Sequence, residues 1–343
     1  MNPKYKIRLL EPSESSIWDE FIDRSENGTI FHKYGWMQAA ENHSKTRFYP
    51  LVCEKSGEGI ISVFPIFTAK KIFFKILFSP PPGCAIPELG PVFYFRSSKQ
   101  HRIEADLNYT IEAYDSYIKK NYNPDYYYIL NNLQDVRPYK WLRYSVEPGY
   151  TYRLYLDKNY VDLFNIFDKR IRNRINKIQN NGSVEIINVG SDKVHKIINE
   201  IKTRYSELSR SFNVSAEYVG TLLDIYGNQE MKLYECISDG SYQTSFITLE
   251  YKNNMKFWLG GVQNNTMKNG VNETIHWHNI VDASKRSLTY YERIGANTKH
   301  LCENKSKYGF RPDVYYKVEK WTQKGFVFHY LYDTYIRKNR KRD

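Results

Sequence analysis

The order of the predicted elements constrains this chain more than any other feature. Each half begins with amphipathic helices and continues with a run of short alternating strands. Helical patterns alternating with strands predict an α/β (α+β) fold, in which mixed sheets are flanked by helices. The best boundary lies near residues 146–150, so we predict two domains of similar topology, at 1–148 and 149–343. The main helical patterns span residues 15–25, 33–44, 100–122, 159–182, 191–212, 215–227 and 272–286.

The charge balance indicates the class of partner. The formal net charge is +12, which favours an anionic partner such as tRNA, a phosphorylated precursor or an anionic membrane surface. We expect no DNA partner. The four cysteines are far apart and form no CxxC pair, so neither a zinc site nor a disulfide framework is predicted, and a reducing cytoplasmic compartment is expected. They are Cys53, Cys84, Cys236 and Cys302.

No segment of the sequence predicts a membrane span. The most apolar stretch, residues 59–83, is interrupted by Pro65 and by Lys70, Lys71 and Lys75. The first 15 residues lack the pattern of a signal peptide. We therefore expect a cytoplasmic protein, with peripheral contact at the inner face of the membrane as a further expectation from its positive charge.

The sequence lacks the common catalytic and nucleotide-binding motifs. It contains no GxSxG, no HExxH, no P-loop and no GxGxxG after a strand. His276 and His278 are two residues apart on a predicted helix, which places them on different faces and gives poor metal geometry. We therefore predict no metal site, no bound cofactor and no covalent nucleophile.

Two other features could contact a ligand. Arg170, Arg174 and Lys177 follow the spacing i, i+4, i+7 on one helix and form a basic stripe, flanked by Arg172. Guanidinium groups bind phosphate bidentately, although a solvated helix face is the alternative. A Gly260-Gly261 pair ends a predicted strand, where it allows a bulge and the close approach of a ligand, or forms an ordinary turn.

Taken in order, these segments resemble the FemABX-like aminoacyltransferases, which build peptidoglycan interpeptide bridges and belong to the GNAT acyltransferase superfamily. That pattern has an Arg-rich helix ending K-x-G-V, a strand ending in glycines, a helix with a Trp, a Y-D-F-x-G strand and an F-K-x-x-F-G loop. Here the matching segments are residues 169–186, 255–261, the Trp277 helix, Tyr291–Gly295 and Lys305–Gly309. Residues 29–36 and 79–93 resemble the first domain's opening and its Gly-Pro strand.

Some residues depart from the pattern. Asn304 replaces the first aromatic residue of the loop, and Glu292 replaces the Asp of the strand. The long helical arm of some relatives is absent. The R/Q-x-x-G-x-G/A loop that binds coenzyme A in ordinary GNAT enzymes is missing after residue 261, which favours aminoacyl-tRNA over acetyl-CoA as donor.

The resemblance implies two fused GNAT-like domains and transfer of an activated acyl or aminoacyl group from aminoacyl-tRNA or acyl-CoA. The acceptor is expected to be an amine of a phosphorylated cell-envelope precursor. By the match, Lys305 would stabilise the oxyanion or clamp the donor phosphate, and Tyr308 would pass a proton to the leaving oxygen. Substrate contacts are expected from Lys33, Trp36, Arg170, Arg172, Arg174, Lys177, Gly260, Gly261 and Lys307.

Two alternatives stay open at this stage. One is an acyl-CoA-dependent N-acyltransferase that acts on a surface-polysaccharide sugar. The other is an inactive GNAT-fold module that binds RNA or lipid through its charge, for which Lys305 would be dispensable and binding would fall steeply with salt.

Overall fold

The computed structural model describes residues 2–71, 73–181, 184–260, 270–295 and 298–331. The packing of the chain divides it into two compact units. Unit 1 takes residues up to 82, residues 86–149 and the segment from residue 315 onwards; unit 2 takes residues 83–85 and 150–314. The units are therefore not two uninterrupted stretches, because residues 315–331 group with unit 1 although they follow the whole of unit 2 in sequence.

Unit 1 is built from a mixed sheet and five helices among the described residues. Its strands are β1 (Tyr5–Leu9), β2 (Arg47–Lys55), β3 (Gly59–Lys71), β4 (Phe74–Ser79), β5 (Val92–Phe93) and β6 (Tyr126–Asn131). Its helices are α1 (Ser15–Arg24), α2 (Tyr34–Ser44), α3 (Gln100–Asn121), α4 (Arg137–Trp141) and, after unit 2, α11 (Gln323–Leu331).

Unit 2 follows the same plan. Its strands are β7 (Ser145–Tyr155, of which residues 145–149 belong to unit 1), β8 (Val184–Val189), β9 (Met231–Ser238), β10 (Ser241–Tyr251), β11 (Asn254–Gly260) and β12 (Tyr290–Arg293). Its helices are α5 (Tyr160–Ile166), α6 (Lys169–Asn181), α7 (Val194–Glu207), α8 (Ala216–Glu230), α9 (Val271–Lys285) and α10 (Lys299–Ser306). Strand β13 (Arg311–Trp321) begins in unit 2 and ends in unit 1.

The two units share one topology. In unit 1, β1 to β4 form an antiparallel meander, α3 follows, and β6 then pairs parallel to β4. In unit 2, β8 to β11 form the same meander, α9 follows, and β12 pairs parallel to β11. Two helices separate the first and second strands of each meander. The predicted fold class, two domains that are each a mixed sheet flanked by helices, is therefore confirmed.

The core of unit 2 explains why its helices form where they do. The apolar stripe of α6, Ile171, Ile175 and Ile178, is buried, as the 3.6-residue period predicts. Ile171 and Ile175 form one hydrophobic cluster with Trp277 of α9 and Tyr291 of β12. Helices α7 and α8 pack on β9 and β10, and the buried side chains of these two helices include Ile197, Ile201 and Leu222.

Two local predictions are wrong. The segment 159–182 is not one helix: α5 ends at Ile166, Phe167 is extended, and α6 begins at Lys169. The break has a physical cause, because the carboxylate of Asp168 accepts a hydrogen bond from the Arg170 amide at 2.8 Å, as an N-cap does. The predicted loop, Lys305–Gly309, begins within helix α10, which covers Lys299–Ser306.

Among the described residues, no helix combines the length and the apolarity that crossing a membrane requires.

Candidate functional site

Strands β11 and β12 separate at one point in unit 2. Their parallel ladder runs from Asn254–Tyr290 to Phe257–Arg293, whereas β11 continues to Gly260 beside β10. The pairing of β10 with β11 skips Trp258, which makes Trp258 a β-bulge. A bulge bends its strand and increases the local twist, so β11 turns away from β12 where the ladder ends. We call Phe257–Gly260 and Arg293–Gly295 the β11–β12 opening.

Gly260 is required by the backbone of this opening. Its φ of 153° lies in the region that favours glycine, and an added Cβ would lie 2.7 Å from the Phe246 Cβ and from the Phe257 ring. The glycine predicted at the end of the strand therefore has a structural reason. Its predicted neighbour Gly261 lies outside the described residues.

Lys305 is buried beside the opening, at 5% exposure, and not on an exposed rim. Its Nζ donates hydrogen bonds to the carbonyl oxygens of Arg293, at 2.6 Å, Ile294, at 3.1 Å, and Gly295. Burial, together with the charge of Arg293, lowers the pKa of Lys305 to about 7. All three ammonium protons hold the chain that leaves β12, so Lys305 positions this turn in the structure. Its direct contact with an oxyanion stays a prediction.

Tyr308 follows α10 and is fully buried. Its ring packs against His276 of α9, with ring centroids 5.9 Å apart, and against Phe167. Its hydroxyl has no hydrogen-bonding partner among the described residues, although Arg293 and Asn272 lie close enough to influence its pKa. Burial raises the pKa of the phenol above its ordinary value, so Tyr308 remains protonated at neutral pH.

His276 has a structural partner. It is buried, and its Nδ1 lies 2.8 Å from the hydroxyl of Tyr291, which also accepts a hydrogen bond from Asn279 at 3.1 Å. Burial, with the charges of Arg293 and Lys305, lowers the pKa of His276 well below its ordinary value, so the ring is neutral. Within the described ranges, no group of three or more His, Cys, Asp or Glu side chains is placed to hold a metal ion.

Glu292 points to the opposite face of the sheet, because side chains alternate along a strand. It is 1% exposed and accepts hydrogen bonds from Thr151, at 2.8 Å, from Lys256 and from Arg153, at 3.4 Å. Burial opposes its charge, but Lys256 and Arg153 outweigh burial and hold the pKa of Glu292 below its ordinary value. Glu292 therefore fixes β12 between β7 and β11.

The predicted basic stripe on α6 is divided by its contacts. Arg174 donates to the buried Glu273, in the first turn of α9, at 2.7 Å, and Arg172 donates to the Asn165 carbonyl at 2.7 Å. Arg170 and Lys177 are exposed, and neither has an ion-pair partner in the described part of the chain. Two of the four predicted phosphate contacts are thus engaged within unit 2.

The remaining predicted residues lie elsewhere. Lys307 is exposed, and its carbonyl accepts a hydrogen bond from the Asp168 amide at 2.8 Å. In unit 1, Lys33 forms an ion pair with Asp23 at 2.7 Å. The ring of Trp36 is 0% exposed and packs on Phe31, with centroids 4.9 Å apart, so Trp36 is a core residue and its predicted contact with substrate is corrected.

Sequence reasoning missed Arg293 and Glu273. Arg293 lies over the ring of Tyr308, with its guanidinium carbon 5.1 Å from the centroid. Glu273 is buried, and its Oε2 has no partner among the described residues. The available signals were the Arg at position 293, at the end of a predicted strand, and the acidic residue at a helix start.

Comparison with solved structures identifies the fold. The crystal structure of FemX matches with a TM-score of 0.67, at 11% identity, over 96% of this chain and 99% of FemX. The chain has the fold of FemX. The predicted resemblance to the FemABX-like group of the GNAT superfamily is thereby confirmed for the fold, which at this identity is what the match shows.

Other solved structures share the FemX fold with this chain. One is the C-terminal domain of a protein assigned as a lysylphosphatidylglycerol synthetase from Agrobacterium fabrum, with a TM-score of 0.56 at 9% identity, covering 92% of this chain and 94% of that one. Another is a tandem GNAT protein from the clavulanic acid biosynthesis pathway, with a TM-score of 0.54 at 8% identity, covering 92% and 98%. No protein-family model and no curated protein matches the sequence.

Proposed function

We propose that this protein transfers an activated acyl or aminoacyl group to an amine of a cell-envelope precursor. The FemX fold supports acyl transfer in general, and the lysylphosphatidylglycerol synthetase among the similar structures supports an aminoacyl group and an envelope acceptor. We place the reaction at the β11–β12 opening of unit 2.

One observation carries this proposal. At the opening, β11 bulges and leaves β12 where buried polar groups meet: the Lys305 ammonium, the Arg293 guanidinium and the unpartnered Tyr308 hydroxyl. Two diverging strands present backbone groups to an extended ligand, and buried polar groups beside them act in a low dielectric. The Tyr308 hydroxyl is one of several buried polar groups without a partner among the described residues. Leaving such a group unsatisfied costs about 1–3 kcal/mol, and a substrate atom that bonds to this hydroxyl would remove that cost.

The chemistry follows from the charges that develop. The neutral amine attacks the carbonyl carbon of the ester or thioester, a C–N bond forms, and the former carbonyl oxygen becomes negative. The C–O or C–S bond then breaks. Tyr308, which is protonated at neutral pH, supplies a proton to the leaving atom and recovers one from the new ammonium. Lys305 holds the turn after β12 and so keeps the opening in position.

The donor follows from a sequence departure. Residues 262–270 lack the R/Q-x-x-G-x-G/A motif with which GNAT enzymes hold coenzyme A, so we propose aminoacyl-tRNA as the donor. An acyl-CoA donor is the second candidate. A tandem GNAT protein has a similar fold, and ordinary GNAT enzymes bind coenzyme A.

A donor-consumption assay tests the proposal. The protein is incubated with cell extract and with isotopically labelled aminoacyl-tRNA or acyl-CoA, and mass spectrometry follows which donor loses its acyl group. The variant Lys305→Met is the negative control, and Lys307→Met, with an exposed side chain of the same charge, is the matched control. Consumption of aminoacyl-tRNA by the wild type and by Lys307→Met, but not by Lys305→Met, supports the proposal; equal consumption by all three proteins refutes it.

A further inference from the structure

Arg293 is a partly buried cation without a carboxylate partner in the described part of the chain. Its guanidinium stacks over the rings of Tyr308, at 5.1 Å, and Phe310, at 5.8 Å. Among the described side chains that are not aromatic, it donates a hydrogen bond to one, the Oδ1 of Asn304, and that bond is long, at 3.4 Å. Guanidinium groups removed from water are normally paired with an acid, because an unpaired buried charge is costly.

The surrounding sequence supplies no missing acid. Residues 261–269 and 296–297 follow Gly260 and Gly295 in sequence and lie outside the described residues, and they contain neither Asp nor Glu. The buried acids of β12 and α9 already have cationic partners: Glu292 is bonded to Lys256 on the opposite face of the sheet, and Glu273 is bonded to Arg174. Burial lowers the pKa of Arg293, and the charge of Glu273 opposes this without a direct ion pair. Among the described residues, Arg293 therefore forms no ion pair with an acid.

Arg293 also distinguishes this chain from the pattern that it resembles. In the Y-D-F-x-G strand, Arg293 takes the place of the Phe, and in the F-K-x-x-F-G loop Asn304 takes the place of the first Phe. The structure brings these two departures together, since Arg293 donates to Asn304. Two apolar positions have thus become one polar pair beside the fully buried, unpartnered hydroxyl of Tyr308.

We propose that Arg293, stacked on Tyr308 and bonded to Asn304, binds an oxyanion, either a phosphate or a carboxylate, carried by one of the two substrates. The planar guanidinium offers parallel N–H donors that match two oxygens of such a group. Asn304 orients the guanidinium. This inference rests on the proposed function, which identifies the molecule that carries the oxyanion as a substrate. Its test requires no turnover.

Thermal unfolding with simple anions tests the inference. The wild type, Arg293→Phe and Lys299→Met are titrated with inorganic phosphate or with acetate up to about 10 mM, at constant ionic strength set by KCl. Arg293→Phe restores the residue of the resembled pattern. Lys299→Met removes the same charge from a side chain of α10 that is 92% exposed, and controls for the loss of one positive charge.

We expect one or both anions to raise the Tm of the wild type and of Lys299→Met by about 2–4 °C, because a ligand that binds only the folded state stabilises it. Arg293→Phe should have a higher Tm than the wild type without anion and should not respond to either anion. A response to phosphate alone assigns a phosphate group, and a response to acetate alone assigns a carboxylate.

The inference is overturned if the wild type responds to neither anion, or if Arg293→Phe responds as the wild type does. Arg293→Met repeats the comparison with a flexible apolar side chain in case the Phe ring does not fit. The two failures are distinguishable. Anion binding without donor consumption refutes the proposed function and supports the anion site. Donor consumption without anion binding supports the proposed function and refutes the anion site.

Discussion

Lys305 and Lys307 are two residues apart and share a charge, yet one is buried among carbonyl oxygens and the other is exposed. We expect Lys305→Met to lower kcat about a hundred- to a thousand-fold, the range found for groups that organise charge in the transition state, with a smaller change in KM. Lys307→Met should retain nearly full turnover. Steady-state kinetics, with the fold checked by circular dichroism, measures both. If Lys305→Met turns over normally, the β11–β12 opening is not the reaction site.

The pKa of Lys305 gives a pH prediction. Because burial lowers this pKa to about 7, the ammonium is present below about pH 7 and is lost above it. A neutral amine has two protons for three carbonyl oxygens, so the turn after β12 loses a hydrogen bond. We expect kcat/KM of the wild type to have a falling limb near pH 7 that is absent from the residual activity of Lys305→Met. The same limb in both proteins would assign it to another group.

Lys305 also links pH to stability, with a definite sign. In the unfolded chain a lysine stays protonated up to about pH 10.4, whereas in the fold Lys305 loses its proton near pH 7. Between these values the unfolded state binds more protons, so this residue's contribution to stability rises with pH. Between pH 7 and pH 9, the free energy of unfolding measured by urea denaturation should increase more for the wild type than for Lys305→Met.

Glu292 is expected to matter for stability. Glu292→Gln leaves Lys256 buried without its counter-charge, which should lower the free energy of unfolding by about 3–5 kcal/mol in urea denaturation. Asp313→Asn is the matched control: Asp313 shares Arg153 with Glu292 but is 38% exposed, so its loss should cost about 0–1 kcal/mol. Because the pKa of Glu292 is lowered in the fold, this stability is present above about pH 4.3 and is lost as pH falls through the folded pKa. Equal losses in the two variants would contradict this account.

Individual residues were only partly predictable. The sequence indicated Lys305 and Tyr308 through their match to a loop pattern, but not that Lys305 is buried, because burial is decided by the strand end that covers it. Trp36 was predicted as a contact residue and lies in a core, which is the common place for a large aromatic side chain. Arg293 was missed because its charge has no partner to suggest a role until the fold places it over Tyr308.

At the scale of the helix, α6 separates structural from exposed cations. Arg174→Glu would break the ion pair with the buried Glu273, so it is a poor test of ligand binding. Arg170→Glu with Lys177→Glu changes only exposed charges and should weaken binding of a tRNA acceptor-stem hairpin. The slope of log K against log salt should fall by about 1 for each phosphate that the protein no longer neutralises.

The matched control for α6 is Lys202→Glu with Lys299→Glu, which reverses two exposed charges elsewhere in unit 2. Binding measured by fluorescence anisotropy at several salt concentrations compares the two double variants. An equal loss of affinity in both would make the α6 stripe a solvated helix face.

Element boundaries followed from periodicity except where a local contact overrides it. The buried stripe of α6 was predicted from its spacing, but the break before it was not, because the Asp168 cap and the packing of Phe167 on Trp277 and Tyr308 are not visible in a helical pattern. Helix α10 was missed for a related reason. Its eight residues are too few for a clear period, and the family pattern suggested a loop.

For the whole molecule, the repeated order of helices and strands predicted two units with one topology. In each unit one helix lies in sequence between the two parallel strands, β4 and β6 or β11 and β12. Local sequence patterns can predict such an order. The place of β13 could not be predicted, because its pairing with β6 joins residues nearly two hundred positions apart, such as Val318 and Ile129. Pairing over such a distance is decided by packing and not by local propensity.

The central claim is that the molecule forms an amide bond, and the linkage in its product tests this most directly. The acceptor labelled from aminoacyl-tRNA or acyl-CoA is isolated and treated with neutral hydroxylamine, which cleaves activated esters and thioesters and leaves amides intact. Mass spectrometry then reads the acceptor's mass before and after treatment. We predict that the added acyl mass survives with the wild type and is not formed with Lys305→Met. Release of the added mass by hydroxylamine, or an acceptor that gains no mass from either donor, would contradict N-acyl transfer.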